Sequence, residues 1–327
     1  MPKALRNNAE GAQEGIFVDI FEVTMPYILA GISVGGQYAL ISIGYTMVFG
    51  ILRLINFAHA DVFMVAGMLM VYISALIPLF VTIPVVIALV VGLGFTIERV
   101  AYKPLRQAPR MSVMISAIGV SYLLQNLTLY LTGGLNKIYP SIPWISDSIS
   151  VLGITTKRVT VVTPFLVIAL VCCLVWLIHR TKVGIAMRAV AKDYETSQLM
   201  GIKIDSVIST TFAIGSLLAA VGSILYFSNY PGVIPSAGAM PGLKAFVAAV
   251  FGGIGSIPGA VLGGFLIGSA ESIIKGLDTI LGQAGLGWIQ RPMELATFSD
   301  AFTFILLIII LVFKPTGLFG EKVSDKV

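Results

Sequence analysis

A guanidinium, an amide, an imidazole and a carboxylate stand close together in Arg53-Leu54-Ile55-Asn56-Phe57-Ala58-His59-Ala60-Asp61, with long apolar runs on either side. Beside such runs an ionisable group is costly unless it is paired or faces a polar cavity. Two readings follow. Asn56, His59 and Asp61 form a pathway or gate element, or the stretch is a short turn in which Asp61 caps the next helix by accepting its free N–H groups. Metal binding is excluded, because His59 and His179 are the only histidines and the only cysteines, Cys172 and Cys173, are neighbours in an apolar run. Adjacent helical positions point in different directions, so these two cysteines read as plain hydrophobes with no disulfide between them.

A second stretch, 180–205, breaks the apolar pattern with charge. Residues 184–192 predict a short helix with Ala186, Ala189 and Val190 on one face and Arg188 and Lys192, four apart, on another. Asp193 is placed to cap a second short helix that carries Glu195 and stops at Gly201. An exposed amphipathic helix of this kind either fills a groove on a partner or merely connects two spans. A third stretch is glycine-rich: Gly252, Gly253 and Gly255 precede Pro258, and Gly255, Gly259 and Gly263 recur four apart, as do Gly264 and Gly268. That spacing lets helix backbones approach closely. The alternative is a tight turn at a pathway or a subunit seam.

Buried acids are few: Asp19, Glu22, Glu98 and Glu271. A proton relay needs more of them, so the energy for any transport is expected from outside the chain. There is no glycine-rich loop ending in Gly-Lys-Ser/Thr, no Gly-x-Ser-x-Gly and no His-Glu-x-x-His. No catalytic residue, cofactor site or metal site is therefore expected.

The elements that would position these residues are membrane helices. Hydrophobic residues make up 57% of the chain and charged residues 11%, with a mean hydropathy of +0.95, against roughly 25% charged residues in soluble domains. Apolar runs predict spans at 17–35, 38–52, 62–77, 83–97, 112–131, 159–179, 207–228, 243–251, 259–274 and 301–313. This is an all-α polytopic bundle of ten spans, with eight or nine as alternatives, since several runs are short or broken by glycine as in re-entrant helices. Lys and Arg concentrate in alternate loops, which places both termini in the cytoplasm. The net charge of +5 belongs to that asymmetry, not to nucleic acid. The chain divides into a polar N-terminal tail at 1–16, a single membrane domain at 17–320 and a C-terminal tail at 321–327. The first span, with Asp19 and Glu22 in it and no cleavage site after it, is not a removable signal.

Residues 38–50 leading into 55–61, the segment 184–201, the run 240–246 into 249–260, and the ending Lys314-Pro315-Thr316-Gly317-Leu318-Phe319-Gly320 together resemble the permeases of branched-chain amino-acid ABC importers. The likeness runs from about residue 25 to 320, and it is to the first of the two permeases that such importers pair. It implies a type II importer fold in a bacterial-type inner membrane. It implies a complex with a second homologous permease, two cytoplasmic ATPases that bind ATP and Mg, and a periplasmic or tethered binding protein. It makes Gly184, Arg188, Ala189, Lys192, Asp193, Glu195 and Gly201 the coupling segment, and it turns 229–240 and 276–299 toward the binding protein. The second of these, with Gln283, Trp288, Gln290 and Arg291, is longer than the family pattern. Branched-chain amino acids are the default substrate that the likeness implies, with urea, short amides or other amino acids as alternatives. An autonomous channel or secondary transporter, and less so a membrane-bound enzyme, compete with it.

Overall fold

A computed structural model describes residues 3–151, 154–283, 295–314 and 316–320. Its first helix, α1 (Lys3–Leu52), is continuous through the two spans expected at 17–35 and 38–52. It begins inside the segment expected as a polar tail. Gly35, at the gap between those two runs, is a notch for helix packing. A Cβ on Gly35 would lie 2.7 Å from Phe265 Cα, and one on Gly268 would lie 2.3 Å from Gly35 Cα. Without side chains there, α1 lies directly on the antiparallel helix α11 (Ile257–Gln283). Of α1, residues Glu22–Leu52 are long and apolar enough to cross a membrane; 31 residues span about 46 Å at 1.5 Å each.

The remaining helices are α2 (His59–Ser74), α3 (Leu79–Ile97), α4 (Arg110–Thr132), α5 (Pro143–Ser146), α6 (Arg158–Arg180), α7 (Lys182–Lys192), α8 (Tyr194–Leu199), α9 (Ile204–Asn229), α10 (Ala239–Gly252) and α12 (Ser299–Phe313). Helix α3 runs on through a π-turn at Glu98–Tyr102 and a 3-10 turn at Lys103–Leu105. Among the described residues seven helices meet the length and hydropathy of a crossing, and α2 and α10 are shorter apolar helices. Seven is below the eight to ten expected, because the runs at 17–35 and 38–52 form one helix and those at 62–77 and 243–251 fall in the two shorter ones. The outer end carries two small sheets. Strand β1 (Lys137–Ile138) pairs antiparallel with β4 (Gly232–Val233), and β2 (Ser148–Val151) forms a hairpin with β3 (Ile154–Lys157) from Ser148↔Lys157 to Val151↔Ile154.

Helices α1 and α9 form the centre, with 72% and 67% of their apolar windows buried, whereas α12 and α4 are covered over only 11% and 17%. Those outer faces are apolar surface for lipid, which needs no polar cover. Cys172 and Cys173 are exposed on α6.

Antiparallel packing on α11 fixes which ends of the bundle coincide. The start of α11 lies beside the end of α1, and residues 316–320 pack there against Gly253. The described start of α1 therefore lies at the opposite end of the bundle from residues 316–320, whereas the charge asymmetry of the loops places both termini on one side. Arg53, Lys103, Arg106, Arg110, Arg180, Lys182 and Lys203 still mark one basic end, which the positive-inside rule assigns to the cytoplasm. We call it the inner end.

Candidate functional site

Helix α1 ends at Arg53, whose φ of 56° is left-handed and stops the helix. The chain then turns back into the bundle. His59 packs its ring against Gly44, where a Cβ would lie 2.1 Å from Nε2. Gly44 is about 12 Å from the inner end of α1, so α2 starts inside the bundle and runs outward from there. Helix α10 also starts inside: Cβ atoms on Gly238 and Gly242 would lie 2.1 Å from the carbonyl oxygen and 2.2 Å from the Cβ of Ala60. It runs inward to Gly252. Two short helices thus begin at one internal junction and leave in opposite directions. Irregular backbone at this depth is tolerated because protein surrounds it.

The structure brings Asn56, His59 and Asp61 to this junction, and all three are buried. Asn56 accepts from the Tyr102 hydroxyl at 2.7 Å, which ties the junction to the π-turn of α3. His59 lies edge-on to Tyr45, 5.0 Å between ring centres, and Tyr45 is edge-on to Phe246 of α10 at 5.9 Å. Its Nε2 has no hydrogen-bond partner. Asp61 does not cap α2, whose N-cap is Ala58. Its carboxylate accepts from Gln125 of α4 at 2.9 Å.

Gly252, Gly253 and Gly255 lie elsewhere, in the turn between α10 and α11 at the inner end. Gly253 and Gly255 have φ of 104° and 99°, a region open to glycine. The segment after α12 clasps this turn: Leu318 N–H donates to Phe251 O and Phe319 N–H to Gly252 O, both at 2.9 Å. The tight-turn reading therefore describes this stretch, and the four-residue glycine spacing beyond it serves packing on α1 and α10.

The segment 180–205 folds as its local chemistry dictates. Thr181 Oγ1 accepts from Gly184 N–H at 3.1 Å and caps α7; Asp193 Oδ1 accepts from Thr196 N–H at 3.0 Å and caps α8. Gly201 ends α8 with φ 82°. The inward face of α7 is set by packing. It is Gly184, Met187 and Val190, because Gly184 sits on the Ile178 backbone, 2.4 Å from where its Cβ would be. Arg188, Lys192 and Glu195 are exposed, and Ala189 is half-buried. Leu199 and Met200 are also exposed, at 87% and 79%, which leaves apolar surface at the inner end. The Arg53 guanidinium donates to Ala191 O at 3.4 Å, joining this segment to the turn that leads into the junction.

Two ionic clusters were not foreseen as clusters. At the inner end Arg106 bridges Glu98 in the π-turn and Asp205 at the start of α9. Lys103 pairs with Asp205 at 2.6 Å, and Ser209 donates to Glu98 at 2.6 Å. Deeper, Lys244 of α10 lies 2.7 Å from Glu271 of α11 and 2.6 Å from Asp300 of α12. Lys275 reaches the same oxygen of Glu271 at 2.5 Å, and Tyr38 of α1 donates to the other at 2.9 Å. Lys275 thus lies within α11. The visible signal was Lys244 and Glu271 as lone charges in apolar runs. Of the segment 276–299, residues 284–294, with Trp288, Gln290 and Arg291, lie outside the described residues, as does the tail 321–327.

This is a polytopic helical membrane protein with an internal half-helix junction and a basic amphipathic segment at one end. The family model for the permease component of the branched-chain amino acid transport system matches residues 27–311. The chain is similar to the high-affinity branched-chain amino acid transport system permease protein BraD of Pseudomonas aeruginosa, 37% identical over 313 residues that cover 92% of this chain and 97% of that one. It is 38% identical to the corresponding LivH protein of Escherichia coli K12, over 91% of this chain and 96% of that one. A probable LivH permease of Methanocaldococcus jannaschii is 27% identical over 86% and 88% of the two chains. The chain belongs to the branched-chain amino acid transport permease family.

Proposed function

We propose that this chain is the membrane permease subunit of an ATP-driven importer that moves branched-chain or related amino acids from a binding protein into the cytoplasm of a bacterial-type cell. The observation that carries this is end-to-end similarity, at 37–38% identity, to permeases named for that transport. The fold that underlies it is of the type II importer kind. ATP and Mg belong to two cytoplasmic ATPase partners, and this chain supplies no catalytic residue. A second homologous permease completes the membrane unit, and a periplasmic or tethered binding protein delivers the solute.

In this reading α7 and α8 are the coupling element. Gly184, Arg188, Ala189, Lys192, Asp193, Glu195 and Gly201 shape or present it, and the exposed Leu199 and Met200 add apolar anchors. ATPase closure displaces the segment, and the Arg53–Ala191 contact passes the displacement to the turn before α2. Asn56, His59 and Asp61 serve as the gate element at the junction. Gly252, Gly253 and Gly255 are the inner hinge of α10. Such a cycle requires contacts that differ between its states, since a ligand indifferent to them shifts nothing.

The test is ATP hydrolysis by the complex purified with its ATPases and binding protein, against leucine, isoleucine, valine, urea and short amides. Stimulation by a branched-chain amino acid only when the binding protein is present is the expected result. Stimulation by urea or amides alone reassigns the substrate, and a complex with no solute-dependent hydrolysis overturns the reading. Deleting residues 184–192 is expected to abolish stimulated hydrolysis while membrane insertion persists; unchanged stimulation would remove the coupling assignment.

A further inference from the structure

The four charges around Lys244 form an alternating chain, Asp300–Lys244–Glu271–Lys275, whose middle is buried and whose ends are not. Side-chain exposure is 6% for Lys244 and 3% for Glu271, against 44% for Asp300 and 46% for Lys275. Breaking the middle pair would strand a buried charge, a costly event. Losing the Lys244–Asp300 contact strands nothing. Lys244 keeps Glu271, Glu271 keeps Lys275 and the Tyr38 hydroxyl, and Asp300 already reaches solvent.

That contact joins particular elements. It holds the outer end of α12, the least covered of the spans, to the second turn of α10, which starts at the internal junction. At its other end α12 is held to α10 by the backbone clasp of Leu318 and Phe319. Helix α12 thus straps α10 at both ends, with two hydrogen bonds of the backbone below and one releasable ion pair above.

We propose that Lys244 is a positioning residue for transport: its contact with Asp300 docks the outer end of α12 on α10 in one state and releases it in the other, while its pair with Glu271 persists. The proposal rests on the transport reading above. It predicts hinge motion of α12 about the clasp at Phe251 and Gly252.

The experiment measures the distance between spin labels at Leu243→Cys and Phe302→Cys in the reconstituted complex, with Cys172 and Cys173 changed to Ser. Both labelled positions are partly exposed, at 44% and 41%. The unmodified latch is expected to give a short-distance population without nucleotide and a longer one with trapped ATP. Asp300→Asn is expected to lose the short population, raise hydrolysis in the absence of binding protein and lower solute moved per ATP; Asp300→Glu restores all three. In a Lys244→Met/Glu271→Gln background, which removes the buried pair as a unit, Asp300→Asn is expected to add nothing. Identical distance distributions for the parent and Asp300→Asn, or full effects of Asp300→Asn in that background, would overturn the latch. Failure of the transport reading shows separately, as a parent complex without solute-dependent hydrolysis; the distance comparison between parent and Asp300→Asn still decides the latch there.

Discussion

The two ionic clusters have the same parts in a different order. Each centres on a cation between a buried and an exposed carboxylate: Arg106 between Glu98 and Asp205, Lys244 between Glu271 and Asp300. Each also has a second lysine. At the inner end Lys103 pairs with the exposed Asp205, so among the described residues the buried Glu98 has Arg106 as its one cationic partner. Around Lys244 the second lysine pairs with the buried Glu271. One arrangement makes the central cation indispensable, and the other makes its outer contact expendable. Arginine suits the first role, since its rigid fork binds two acceptors with little loss of order, and lysine, a flexible point charge, suits the second. The inner cluster fixes α3, through its π-turn, to the start of α9 directly after the coupling segment. The deeper one holds helices that can part.

The largest effect is expected from Arg106→Met. It leaves Glu98 buried and uncompensated, a loss of about 3–5 kcal/mol, read as a lower midpoint in thermal unfolding of the purified complex. Arg106→Met/Glu98→Gln should recover most of it; a single variant as stable as the parent would remove the distinction between the clusters. Lys244→Met should cost less, about 1–3 kcal/mol, because Lys275 and Tyr38 still serve Glu271. Adding Lys275→Met should bring the loss up to that of Arg106→Met, and simple additivity of two small losses would argue against shared compensation. Lys103→Met removes a contact to a carboxylate that is 57% exposed and should cost at most about 1 kcal/mol. A larger shift in its unfolding midpoint would mean that Asp205 matters more than its exposure suggests.

Local chemistry was legible in the sequence where one short stretch decides the outcome. Asp193 as a cap and Gly201 as a stop need only neighbouring backbone groups, and both stand as expected. The gap between the runs at 17–35 and 38–52 is no end of a helix: Gly35 there is a notch for Phe265 of α11, and a notch and a break look alike until the partner is known. The inward face of α7 was not legible for a similar reason: Gly184, which lacks any apolar side chain, faces inward because the Ile178 backbone leaves no room for one. Asp61 looked like a cap because it precedes an apolar run, yet the helix starts at His59 and the carboxylate is taken by Gln125 from a distant span. The short run at 243–251 did announce an interrupted helix. Its lysine could not be paired from sequence, since a long side chain reaches along α11 well past the residue at its own level.

The permease reading itself is tested most directly by uptake of labelled leucine into proteoliposomes. They would hold this chain with its second permease and ATPases, with binding protein outside and ATP within reach of the nucleotide sites. Saturable accumulation that needs both ATP and binding protein, and that this chain alone does not support, is the predicted result. Leucine flux through this chain alone, indifferent to ATP, would contradict it and point to a channel or a gradient-driven carrier.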